Sequence, residues 1–200
     1  MPKKSETRAA SARAAAAPRR QAAGFKHCRS GFTLVDLLMV VLISALLASV
    51  AAPAMGRLTD HMALRSALQS LHVDLAFARG EAIMRHGYIS MCPSRDGDTC
   101  DDFDWQIGWI VFEDPERLGV PAHPESILRI QGPISVRMTI SGNAPIRRHI
   151  GFNALGVTRA RNGALLMGTL RLCHAKLNEG RALVINRSGR IRQTSVNCGV

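Results

Sequence analysis

Between Leu37 and Ala52 the chain runs for sixteen residues without a charge, directly after Gly31-Phe32-Thr33-Leu34-Val35-Asp36. A run of this kind has to be removed from water. Read as a helix, Phe32 to Met55 extends about 36 Å at 1.5 Å per residue, enough to cross a hydrocarbon core of roughly 30 Å. The preceding segment carries Lys3, Lys4, Arg8, Arg13, Arg19, Arg20, Lys26 and Arg29 against Glu6 alone, and such a basic flank is held on the cytoplasmic side. Everything after the apolar run is therefore expected outside the cytoplasm. Asp36 is the anomaly, because a carboxylate near the middle of a lipid-facing helix costs about 2.5 to 3.5 kcal/mol. Either it reaches the interface from the edge of the block, or it meets a positive partner, since a buried charge needs pairing.

The formal charge of +11 is uneven along the chain. Residues 129–200 hold twelve basic side chains, eleven of them arginine, against Glu179, whereas residues 32–128 hold six basic and thirteen acidic ones. Such polarity suggests a polyanionic partner, or a basic face that pairs with acidic neighbours. Arginine suits bidentate phosphate contact better than lysine does.

Cys28 precedes the apolar run, leaving Cys92, Cys100, Cys173 and Cys198 on its far side. An even number outside the cytoplasm reads as disulfides, with three connectivities open. The favoured one joins Cys92–Cys100 across a short Pro/Gly/Asp loop and Cys173–Cys198 near the C-terminus. Each closure stabilises by roughly 3 kcal/mol on the loop-entropy account.

From Gly56 to His86, Leu64, Leu68, Leu71, Leu75, Ala78 and Ala82 recur at alternating steps of four and three. That is one apolar stripe on a helix continuing the membrane segment, about 80 Å long in all and ended by Gly87. Short β-prone runs follow: Tyr88–Cys92, Trp105–Glu113, Ser126–Gln131, Ile134–Ile140, Ile146–Phe152, Leu165–Cys173, Ala182–Asn186 and Arg190–Thr194. Turn signals separate them, notably Gly132-Pro133, Ser141-Gly142-Asn143 and Ser188-Gly189. The fold class is α+β, a long N-terminal helix packed by its stripe on antiparallel sheet.

Catalysis has no recognisable signature here: neither GxSxG nor HExxH nor a phosphate loop is present. No cofactor is expected. Asp96, Asp98, Asp101, Asp102 and Asp104 crowd the loop around Cys100 and read as a solvated acidic turn, because no glutamate follows at EF-hand distance. His61, His72 and His86 lie too far apart along a helix to share a metal, so no metal site is predicted. Trp105 and Trp109, four residues apart, are expected to share a strand face and pack in the core.

The stretch GFTLVDLLMV resembles the class III signal of type IV pilins and pseudopilins. The resemblance implies cleavage by a prepilin peptidase between Gly31 and Phe32 and N-methylation of Phe32. Asp36 then occupies the mature position where the family carries a glutamate that meets a neighbouring subunit's terminal amine during assembly; aspartate is one methylene shorter. Pro53 falls where many pilins kink this helix. An ordinary secretory signal is the alternative, with Ser49-Val50-Ala51 and Ala52-Pro53-Ala54 as small-residue sites and a mature start at Ala52 or Met55.

Further along, the chain is similar to the GspH/FimT family. The likeness rests on Arg79-Gly80-Glu81-Ala82-Ile83, the cysteine-bounded Asp/Gly loop, Trp105-Gln106-Ile107-Gly108-Trp109, Gly156 after Phe152, and Ser188-Gly189-Arg190. Gly189-Arg190-Ile191-Arg192 matches the GRxR pattern associated with DNA binding in FimT-type minor pilins of naturally transformable bacteria. On a strand, Arg190 and Arg192 share a face about 6.6 to 7 Å apart, near the spacing of successive phosphates, and Arg187 stands beside the turn. Sequence-nonspecific DNA is thus an expected partner, with few aromatics available for base stacking.

The expectation is a leader at 1–31, a transmembrane assembly helix at 32–55 and a periplasmic pilin-like domain at 56–200, helical to 86 and β-rich over 87–200. It sits in the inner membrane as a single-pass precursor and joins other pilins or pseudopilins in a filament. Two roles follow from the resemblance: a minor pilin that binds DNA during natural transformation, or a GspH-like minor pseudopilin of type II secretion with a structural role.

Overall fold

The computed structural model of the chain describes residues 31–102 and 105–199. The basic segment before Gly31, with Cys28, lies outside the described residues, as does Asp104 of the acidic loop. Contacts divide the chain into two units, residues 1–45 and 46–200.

In the first unit the chain enters helix α1, Leu34–Met84, through a capping box. The Asp36 carboxylate accepts the Thr33 backbone N–H at 3.0 Å and the Thr33 hydroxyl at 2.8 Å, while Asp36 N–H lies 3.2 Å from Thr33 Oγ1. Two N–H groups that the helix itself cannot satisfy are thereby capped, and the negative charge sits at the positive end of the helix dipole. The side chains from Phe32 to Leu47 are exposed, and the helix is long and apolar enough to cross a membrane. Pro53 is accommodated within α1.

In the second unit the six stripe residues Leu64, Leu68, Leu71, Leu75, Ala78 and Ala82 are all buried, in one core with Ile89, Met91, Trp105, Trp109, Ile140, Phe152, Leu170 and Leu183. The helix ends slightly earlier and differently from the sequence expectation. His86, not Gly87, takes the left-handed conformation (φ 49°). Gly87 N–H then bonds the Ala82 carbonyl at 3.1 Å and His86 N–H that of Ile83 at 3.3 Å, the paired bonds of a Schellman cap.

Among the described residues nine strands follow: β1 (Ile89–Pro93), β2 (Trp109–Glu113), β3 (Ile127–Gln131), β4 (Met138–Gly142), β5 (Ile150–Phe152), β6 (Thr158–Arg159), β7 (Gly168–His174), β8 (Glu179–Ile185) and β9 (Ile191–Asn197). They form two antiparallel sheets, ordered β3-β2-β1-β5-β6 and β4-β7-β8-β9. Both sheets supply residues to the core that covers the helix stripe. On the other face of the first sheet, Cys92, Ile110 and Phe112 form a small second cluster with Cys100 and Ile127. Cys92 is bonded to Cys100 and Cys173 to Cys198.

The run from Trp105 is not one strand. Trp105–Ile107 is a 3-10 turn, and Gly108 at φ 112° breaks the chain before β2, because a side chain there would strike the Gln131 carbonyl. Trp105 and Trp109 consequently sit on different elements, although both are fully buried. Trp109 donates its indole N–H to Asp74 Oδ2 at 2.8 Å, and Arg129 pairs with Asp74 Oδ1 at 2.6 Å while lying 4.1 Å from the Phe77 ring centre. This polar link ties the helix to β2 and β3, leaving neither Asp74 oxygen unpartnered.

Candidate nucleic-acid interface

The turn between β8 and β9 is built around Asn186. Its side-chain oxygen accepts the N–H groups of Ser188 (3.1 Å) and Arg190 (2.9 Å), its own N–H reaches the Arg190 carbonyl (3.1 Å), and its carbonyl accepts Gly189 N–H (2.9 Å). Asparagine thus organises the loop without adding charge. Arg190 is consequently part of the turn rather than of a strand beginning there: β9 starts at Ile191. Arg190 and Arg192 are nonetheless both exposed, on either side of the half-buried Ile191.

Beneath the turn, α1 contributes a tether. Arg79 Nε donates to the Gly156 carbonyl at 3.1 Å, and a terminal guanidinium nitrogen lies 3.5 Å from the Ser188 carbonyl. Gly189 has φ 73° and packs so closely on the Gly156 carbonyl that a Cβ would collide with it. The buried Thr158 hydroxyl donates to the Leu166 carbonyl at 2.6 Å and approaches those of Asn186 and Arg187. A groove of about 300 Å³ runs beside the turn, lined by His72, Arg79, Ile83, Gly189 and Arg190 among others. Among the described residues, the side chains of Arg187, Arg190 and Arg192 make no ion pair or hydrogen bond, and all three are exposed. A fixed backbone therefore carries three guanidiniums whose donors remain available to an anion.

The remaining C-terminal cations are not gathered on this surface. Arg129 is spent on Asp74, and Arg148 lies 3.2 Å from Asp102 at the mouth of a 520 Å³ cleft shared with His149 and Arg161. His149 is buried, its Nε2 has no partner among the described residues, and burial pushes its pKa down although Asp114 acts against this. Arg171 is on the outer face of β7, opposite Ala182 and hence two strands from Thr194, with its guanidinium on the Asn197 carbonyl at 2.9 Å. Arg137 and Lys176 lie at the other end of β8 from the Arg187 turn, about 23 Å away at strand rise.

Two carboxylates of the acidic loop, Asp96 and Asp101, are engaged by the loop itself. Asp96 accepts the N–H groups of Asp98 and Thr99 at 2.9 Å each, together with the Thr99 and Ser94 hydroxyls, and these bonds hold its carboxyl well below the usual carboxylate range. Asp101 accepts Arg95 N–H at 3.0 Å. Among the described residues no group of three or more His, Cys, Asp or Glu side chains is placed to hold a metal.

A model of the family described as type II transport protein GspH matches residues 67–189, from the buried stripe of α1 to the glycine of the Arg187 turn. The chain belongs to the GspH family. Its fold is that of a type IV minor pilin: the crystal structure of FimU, a type IV minor pilin of Pseudomonas aeruginosa PAO1, superposes with a TM-score of 0.54 at 25% identity, covering 68% of this chain and 91% of that one. A second crystal form of FimU gives a TM-score of 0.50 at 25% identity, over 66% and 92% of the two chains. No curated protein matches the chain. In this GspH-family member the Arg79 tether that holds the turn has no signal in the local sequence pattern. Arg79 stood in a recognised motif, but its partners Gly156 and Ser188 lie 77 and 109 residues away.

Proposed function

We propose that this GspH-family protein is a minor pilin that is cleaved between Gly31 and Phe32, joins a type IV pilus, and binds DNA through Arg187, Arg190 and Arg192 during natural transformation. The observation that carries the DNA reading is the pairing of a fixed turn with unpaired guanidiniums. Its backbone is held by Asn186, Gly189 and Arg79, so binding phosphate need order only the side chains. Contacts of this kind go to phosphates and favour no sequence.

The first unit supports the assembly reading. Cleavage after Gly31 puts the new α-amine on Phe32, next to the residue whose N–H Asp36 already accepts. The aspartate is thus held at the helix start, where a neighbour's amine is to meet it, and the prepilin peptidase and other pilins are its partners at the inner membrane. Mass spectrometry of the mature chain is expected to find N-methylated Phe32 first; Ala52 or Met55 in that place overturns the reading.

Residues 57–200 contain every core residue and both disulfides, which makes them the natural material for a binding titration. Duplex DNA is expected to bind in the low micromolar range at low salt, and R190A/R192A to weaken it. A second reading, a structural minor pseudopilin of type II secretion, draws on the description of the family itself. Absence of salt-sensitive DNA binding by the unaltered domain favours that reading.

A further inference from the structure

Three cations of the second unit line one cleft. Arg57 lies on the helix, Arg137 just before β4, and Lys176 in the turn after β7, and together with Gly56, Thr59, Asp60 and Leu177 they line a cleft of about 380 Å³. All three are exposed, and among the described residues none makes an ion pair or a side-chain hydrogen bond.

Their backbones are fixed. The Arg137 carbonyl accepts Ala175 N–H at 2.9 Å, and Lys176 N–H lies 3.3 Å from Nδ1 of the buried His174. The same histidine places Nε2 3.6 Å from Asp60 Oδ1, so the Asp60 carboxylate is turned toward His174. Leu177 is buried and anchors the turn in the core. Sequence distance hides the cluster, which joins positions 57, 137 and 176.

The position of Arg57 sets the class of ligand. Between Asp36 and Arg57 the chain carries no charge, and a helix takes these twenty residues through about 30 Å, the thickness of a hydrocarbon core. Arg57 is then the first charge to emerge on the far side, at the level of lipid phosphates. We infer that Arg57, Arg137 and Lys176 form a binding site for the phosphate of an anionic phospholipid headgroup in the periplasmic leaflet. The inference rests on the reading of residues 32–55 as a membrane anchor. The site gives the subunit a headgroup contact beyond its apolar helix and orients the domain on the membrane surface before a filament takes it up.

The test uses the full chain in nanodiscs of phosphatidylcholine containing a minor fraction of phosphatidylglycerol, with retained lipid counted by native mass spectrometry. The unaltered chain is expected to retain phosphatidylglycerol selectively. Each of R57Q, R137Q and K176Q is expected to reduce that selectivity about fivefold, a ratio set by the usual attraction of one basic residue to an anionic surface. R190Q/R192Q is expected to leave it unchanged, which separates this site from the DNA turn. Equal retention by the triple variant and the unaltered chain overturns the proposal while leaving the anchor reading intact. Displacement of the lipid by low-millimolar inorganic phosphate reassigns the cleft to free phosphate and overturns it too. Failure of the chain to insert in any nanodisc overturns the anchor and, with it, the site.

Discussion

Two short loops of opposite charge show how differently the same density of ionisable residues can be used. In the loop around Cys100 two carboxylates serve the backbone beside them: Asp96 alone accepts two backbone N–H groups and two hydroxyls, and Asp101 accepts Arg95 N–H. The Asn186–Arg190 turn satisfies its backbone with a neutral side chain and leaves Arg187, Arg190 and Arg192 without internal partners among the described residues. Carboxylates can accept from a neighbouring N–H, so acidic loops readily consume their own charge. Guanidiniums only donate, and a turn whose carbonyls are already engaged offers them little. Charge in a sequence marks a binding surface only where the local backbone cannot absorb it.

The largest effect that sharpens this contrast is expected from Gly189→Ala. The new Cβ meets the Gly156 carbonyl in a left-handed conformation, and the combined clash and strain cost about 3 kcal/mol in urea unfolding. A change within 0.5 kcal/mol would mean that the turn is not held as described. Arg79→Met removes the donor to the Gly156 carbonyl and is expected to cost about 2 kcal/mol, with faster amide exchange confined to residues 186–190.

Asp96→Ala tests the acidic side. The folded carboxyl titrates below its unfolded value, so its contribution is present above about pH 4 and is lost as pH falls through the folded value. The variant should therefore have a lower urea midpoint than the unaltered domain at neutral pH, with the gap closing in acid and DNA affinity unchanged. His149 works in the same direction, in a higher pH window. Its pKa is depressed by burial, so the unfolded chain binds the proton first and stability falls as pH drops below about 6.5. His149→Gln should flatten that slope in thermal melts between pH 7 and 5. Smallest of all, R190Q/R192Q should move stability by no more than about 0.5 kcal/mol, as exposed substitutions without partners do.

Much of the fold was legible because it is written in local periodicity. Every residue of the Leu64-to-Ala82 stripe is buried, and the expected β-rich half resolves into antiparallel sheets. Departures occur where a single residue outweighs the pattern: Gly108 divides the Trp105 run, the Asn186 side chain draws Arg190 into the turn, and His86 takes the cap position that glycine usually fills. Long-range pairings left no local trace. Asp74 with Trp109 and Arg129, Arg79 with Gly156, and the meeting of Arg57 with Arg137 and Lys176 depend on topology, and β6, with only two residues, is too short to carry a pattern. The basic third of the sequence likewise suggested one surface, whereas the fold distributes it among an internal ion pair, two clefts and the Arg187 turn.

The claim that this turn is the DNA-binding surface is tested most directly by the salt dependence of duplex binding for residues 57–200, measured for the unaltered domain and for R187Q/R190Q/R192Q. Plotted as log affinity against log salt, the slope should become shallower by about 0.9 for each arginine removed, close to 2.7 in all. A slope and affinity unchanged in the triple variant would contradict the account.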